Sequence, residues 1–143
     1  MAGQSFYKKR KDNKMQNHTI NVPVTLLPQT VNDIIITAIE GGINYWCETV
    51  LGDNLEVGNG AVIKIIEDGG TWSSADDVTH KLDLDKFRLG MLRWVQKNPD
   101  YGCVTMARDS KGKLVLSFDA GMIDAGMADC IIQYALFTKL KYA

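Results

Sequence analysis

Histidine and cysteine are scarce in this chain, two and three among 143 residues, and the scarcity removes most familiar chemistry. Neither His18 nor His80 belongs to an HExxH pair, no acidic loop carries the glycine of an EF-hand, and no two cysteines stand at zinc-ligand spacing. No serine or cysteine nucleophile is matched with a histidine and an orienting acid, so the residues predict no catalytic centre, no metal and no cofactor. Gly58, Gly60, Gly69 and Gly70 fit neither the P-loop nor the dinucleotide fingerprint and read as turn residues. Long apolar runs are also missing. Nothing approaches the roughly 18 uninterrupted apolar residues of a membrane helix, and the first residues lack the apolar core of a secretory signal, so the expectation is a cytoplasmic protein with no membrane partner. Cys47, Cys103 and Cys130 are odd in number and each lies in an apolar run, which reads as reduced, buried thiols.

What is present is the composition of an ordinary folded chain: 45% apolar and 23% charged residues, enough to build a core at a length that suits one domain. Residues 17–143 are read as that domain. Residues 1–16 carry few apolar side chains, Phe6, Tyr7 and Met15, and read as a flexible basic arm. Within it Lys8, Lys9, Arg10, Lys11 and Lys14 stand against Asp12, giving about +4 and leaving about −5 for the body. These five cations are the candidate nucleic-acid contacts.

From residue 19 apolar and polar side chains alternate, Ile20, Val22, Val24 and Leu26 against Asn21, Pro23 and Thr25, which predicts a strand that Pro23 confines to an edge. Thr30 is the expected N-cap of a first helix, with Asp33 in its first turn. The spacing of Val31, Ile35, Ile39, Trp46 and Val50 carries that helix to Leu51, across Gly41 and Gly42. Adjacent glycines there predict a kink, a close backbone approach or an opening for a ligand. Residues 61–66 read as a buried strand with 78–82 as its hairpin partner. Asp83 introduces a second helix with the stripe Leu84, Phe87, Met91, Trp94 and Val95, stopped at Asn98 and Pro99. Residues 103–108 and 113–118 form a further predicted hairpin around Asp109, Ser110, Lys111 and Gly112. Residues 123–137 predict a core helix and 139–143 a closing strand. Because strands and helices do not alternate strictly, the expected fold is α+β: a mostly antiparallel sheet of about five strands covered by three helices.

Three groups of residues invite a functional reading. The string Glu40, Gly41, Gly42, Ile43, Asn44, Tyr45, Trp46 joins an acid, a permissive backbone and two aromatics. Either the glycines admit a ligand or a partner helix while Tyr45 and Trp46 supply rigid contact area, or Trp46 is simply core. Asp129 and Gln133 stand four apart on the last helix, with Asp124 nearby; they either meet Glu40 or Asn44 in a buried network that fixes a helix crossing, or form a ligand site. Asp76, Asp77, His80, Asp83 and Asp85 suggest a metal by composition, but their spacing suits a solvated hairpin and helix start. The candidate partner-binding set is therefore Glu40, Gly41, Gly42, Asn44, Tyr45, Asp76, Asp77, Asp129 and Gln133.

The strings from Glu40 to Trp46 and from Ile131 to Phe137, with Asp129 ahead of the Gln-Tyr-Ala-Leu-Phe run, resemble a family of small uncharacterised phage and prophage proteins. The resemblance covers residues 31–142 and implies an accessory gene product of a mobile element, working in the cytosol of a bacterial host. The family tends to have glycine after that phenylalanine, where this chain has Thr138, and the basic arm looks like an addition. The leading expectation is a non-enzymatic phage protein that inhibits a host protein, such as a CRISPR-type defence nuclease, its acidic body occupying a nucleic-acid groove. Two alternatives stand beside it: a nucleic-acid-binding protein using the arm, and a nucleotide-messenger binder with its pocket at Gly41 and Gly42. Exposed aromatics such as Tyr142 would also suit a homo-oligomer.

Overall fold

The structure, a computed structural model, describes residues 16–143; Lys8, Lys9, Arg10, Lys11 and Lys14, with the rest of residues 1–15, lie outside the described residues. Helix α1 spans Pro28–Gly41. Proline opens it at the position where the missing N–H costs nothing, and Leu27, not Thr30, is the N-cap. Thr30 lies inside the first turn and is buried. Asn32, also buried, fixes the helix to the following loop: it accepts from Gly58 N–H at 2.8 Å and donates to Asn59 at 2.8 Å.

The expected continuation of this helix to Leu51 is incorrect. Gly42 and Ile43 N–H both turn back to Ala38 O, at 2.8 and 2.9 Å, and the chain re-emerges as strand β1, Cys47–Leu51. Two glycines end the helix, and the β-branched pair Thr49 and Val50 suits a strand as well as its spacing suits a helix. A Cβ on Gly42 would lie 2.6 Å from Ala125 O, so of the three readings of the glycine pair the close backbone approach is the one found.

Strand β2, Ile63–Glu67, pairs antiparallel with β1 and with β3, Val78–Leu82, to give a three-stranded sheet with β2 in the centre. Alternation along β2 turns Ile63, Ile65 and Glu67 inward and Lys64 outward. Helix α2, Leu84–Lys97, is capped by Asp83, whose carboxylate accepts from Lys86 N–H at 2.9 Å. Strands β4, Val104–Arg108, and β5, Leu114–Phe118, form a separate antiparallel hairpin. Helix α3, Ala125–Phe137, starts on an Asp124 cap and runs through the middle, with α1 and α2 both packed on it. Gly90 lets α2 close on α3, since a Cβ there would lie 2.6 Å from both Ala135 Cβ and Ile131 O.

The fold is therefore α+β, but among the described residues the single sheet of about five strands is replaced by two small antiparallel sheets. Both segments that would have enlarged a sheet fail for identifiable reasons. Residues 19–26 form no strand and make one backbone bond to β5, Thr25 N–H to Leu116 O at 2.7 Å. The next residue presenting its amide side to β5 is Pro23, which has no N–H, and no ladder forms. Residues 139–143 form no strand either, because the amides of Lys141 and Tyr142 are taken by a side chain, that of Gln133.

The core joins Ile34 and Ile35 of α1, Trp46 of the turn before β1, Ile63 and Ile65 of β2, Phe87 of α2, and Ile131 and Ile132 of α3. Among the described residues no helix is long and apolar enough to cross a membrane.

Candidate functional site

The chemistry-bearing side chains converge where the loop after α1, the inner face of β2, helix α3 and residues 138–143 meet. The buried Asp129 is the hub. Its Oδ2 accepts from the Tyr45 hydroxyl at 2.6 Å, and its Oδ1 accepts from Trp46 Nε1–H at 2.7 Å and from Gln133 Nε2 at 2.9 Å. A buried carboxylate is tolerable only when its lone pairs are used in this way. Gln133 sits one turn further along α3 and is fully buried. With its nitrogen committed to Asp129, its Oε1 accepts the backbone N–H groups of Lys141 and Tyr142 at 2.9 and 2.8 Å.

A second buried acid completes the cluster. Glu67, the last inward-facing residue of β2, receives Lys141 Nζ at 2.5 Å and the Tyr142 hydroxyl, and stands 2.9 Å from His80 Nε2. His80 is opposite Ile65 in the β2–β3 register, which places it diagonally from Glu67 on the same face. Burial by itself would raise the Glu67 pKa; the hydrogen bonds from Lys141, Tyr142 and His80 outweigh it and hold the carboxyl at about 2. The two tyrosines move the other way. Burial of the hydroxyl, then the neighbouring carboxylate, Asp129 for Tyr45 and Glu67 for Tyr142, push both up to about 12.

Aromatic rings enclose these polar groups. Tyr142 stacks on Trp46 with planes 3° apart and centroids at 5.4 Å, and Phe137 meets Trp46 edge-on at 5.4 Å. Tyr45 meets Tyr142 edge-on at 6.3 Å, and His80 meets Phe137 at 5.1 Å. Tyr45 is nevertheless 55% exposed: its hydroxyl is pinned inward while its ring faces solvent.

Of the residues singled out in the sequence, Tyr45, Asp129 and Gln133 are brought together here. Asp129 and Gln133 bond to the aromatic pair that follows α1, not to Glu40 or Asn44, which are both exposed. Gly41 is exposed, and the space beside Gly42 is filled by the backbone of Ala38 and Ala125. The acid-rich stretch serves local structure. Asp76 accepts from Thr71 at 2.5 Å, Asp77 accepts from Gly69 N–H at 2.9 Å, Asp83 caps α2, and Asp85 stays exposed 3.9 Å from Arg88. Among the described residues no group of three or more potential ligands is placed to hold a metal. Cys103 is buried, Cys47 and Cys130 are half-buried, and all three are free, with burial pushing each thiol up.

Sequence reasoning missed Glu67 and Lys141, and treated His80 and Tyr142 as exposed, whereas Tyr142 is half-buried with its ring stacked on Trp46 and its hydroxyl on Glu67. One signal was available: Ile63, Ile65 and Glu67 alternate, so a strand with an inward isoleucine face puts that acid inside. Comparison of the chain with family models, with curated proteins and with solved structures finds no match.

Proposed function

We propose that this chain is a non-enzymatic, phage-encoded accessory protein that binds a host protein and inhibits it, a defence nuclease being the kind of target its acidic body suits. The observation that carries the reading is the state of Tyr45, whose ring is 55% exposed while its hydroxyl is held at 2.6 Å on the buried Asp129. A large exposed ring already fixed in one orientation loses little entropy on binding, which is the property of an interface anchor. The buried acids Asp129 and Glu67 support the reading from the other side, since tyrosine, tryptophan, glutamine, lysine and histidine of the same chain occupy them.

The test is capture from a bacterial lysate with the tagged protein, with and without nuclease, followed by an activity assay of the captured enzyme. A stoichiometric, nuclease-resistant complex is expected, with the purified chain lowering the enzyme's activity. Tyr45→Ala should weaken the complex at least tenfold while Tyr45→Phe, which keeps the ring, retains most of it. Recovery of nucleic acid with only nuclease-sensitive proteins would replace this reading with binding through Lys8, Lys9, Arg10 and Lys11, for which the charge contrast between arm and body speaks.

A further inference from the structure

Residues 139–143 form neither helix nor strand, and among the described residues no backbone–backbone bond outside the regular elements reaches them. They are held by side chains. Gln133 accepts two consecutive amides, from Lys141 and Tyr142, and its Nε2 donates to Tyr142 O at 3.3 Å, so one side-chain amide reads both the N–H and the C=O of Tyr142. Glu67 takes the Lys141 ammonium and the Tyr142 hydroxyl on one oxygen. Trp46 stacks on the Tyr142 ring, and the Phe137 ring lies 5.2 Å from Lys141 Nζ. Lys141 is exposed and Tyr142 half-buried, whereas Glu67, Gln133 and Trp46 beneath them are buried.

We infer that Trp46, Phe137, Glu67 and Gln133 form a peptide-binding slot for an extended segment carrying a cation followed by a hydroxylated aromatic ring, and that Lys141 and Tyr142 fill it in cis. If those two residues leave, the slot keeps a buried carboxylate facing only His80 and a buried glutamine oxygen with no donor. Both are costly unless a replacement supplies the same groups, and this makes the slot selective. Two successive N–H groups answer Gln133, an ammonium or guanidinium with a phenol answers Glu67, and a ring answers Trp46. The inference rests on the reading that the chain binds a protein, and names the partner's segment: Lys or Arg followed by Tyr, extended. The tethered copy competes at an effective concentration on the order of millimolar, so an outside segment engages only when it outbids the tether or when the tether is weakened.

The experiment is titration of the hexapeptide with the sequence of residues 138–143 into the Lys141→Ala/Tyr142→Ala variant, read by tryptophan fluorescence. Saturable binding is expected, at least tenfold tighter than to the wild-type chain, and lost when the peptide carries alanine for either the lysine or the tyrosine. No saturable change in a variant with a wild-type circular dichroism spectrum, or equal binding to wild type and variant, overturns the slot. Should the variant fail to fold, hydrogen exchange of the wild-type protein decides. The Lys141 and Tyr142 amides should exchange by local opening far faster than Ile131 and Ile132 in α3; exchange only at the global unfolding rate overturns the inference. In lysate capture the variant should hold its partner more tightly than wild type. A host complex captured equally by both overturns the slot and leaves the protein-binding reading standing.

Discussion

Around Asp129 and Glu67 each buried carboxylate oxygen has a donor, whereas the β4–β5 hairpin leaves the buried Ser117 Oγ without a partner and shows Val104, Met106 and Leu114 about half-exposed. The first region is stitched by bonds between residues 74 to 84 positions apart, such as Lys141 with Glu67 and Tyr45 with Asp129. The second is held chiefly by its own ladder, and an isolated two-stranded sheet is marginal in water. Stability therefore resides mainly in the first region. A change in the first region is felt by the loop after α1, by α3 and by the sheet together, while a change in the hairpin should stay local.

The sharpest way to break this contrast is Asp129→Ala. It leaves the indole N–H of Trp46 and the Gln133 amide without their acceptor, and should cost about 3–5 kcal/mol in denaturant unfolding. Met106→Ala on the hairpin face should cost under about 0.5 kcal/mol. Comparable losses for the two would mean that the hairpin carries more of the fold than its contacts indicate.

Glu67→Gln is expected next, at about 3 kcal/mol near neutral pH, the stability equivalent of a carboxyl held at about 2 against an ordinary value of 4.5. A depressed folded-state pKa contributes fully above about pH 4.5 and is lost as pH falls towards 2. Urea titrations across pH 2–7 should therefore show an acid limb in the wild type that flattens in the variant. An unchanged limb would assign acid sensitivity to other carboxylates.

Thr138→Gly tests the seam between α3 and the segment that follows it. Thr138 ends α3 at φ 63°, a left-handed conformation that a β-branched residue adopts only under strain. Glycine there should raise stability by about 1 kcal/mol, which thermal unfolding would report as a higher Tm. A fall in Tm would show that the threonine side chain compensates for its backbone.

The smallest effect is on the hairpin side. Ser117→Ala removes a buried hydroxyl that has no partner and should be neutral or stabilising by up to about 1 kcal/mol. A clear loss of stability would point to a bridging water at Oγ and bring the two regions closer in kind.

Much of the secondary structure was legible because its causes are local. The stripe from Leu84 to Val95 with Asp83 ahead of it fixes α2, and the alternation of residues 78–82 and the turn at 109–112 fix their hairpins. What misled was degenerate local information. Trp46 and Val50 sit at helical spacing from Ile39 but belong to the turn and strand that follow it, and Ile20 to Leu26 alternate like a strand that Pro23 prevents from pairing. In the candidate site, Tyr45, Asp129 and Gln133 stand out by type and position, yet their partners do not. Asp129 meets Tyr45 and Trp46 because α1 ends where it does, and Glu67 meets Lys141 and Tyr142 because α3 brings the chain back across β2.

The α+β class, most helix and strand positions, the charge contrast between the arm and the body, and the scarcity of metal-ligand and nucleophile motifs are all fixed locally, since each follows from composition or from periods of two and 3.6 residues. Long-range packing settles that the five strands of the described residues divide into two sheets, that Gly42 and Gly90 are places of close helix approach, and that two buried acids share one aromatic cluster. Those outcomes depend on which distant groups satisfy a buried donor or acceptor, and no local pattern encodes that choice.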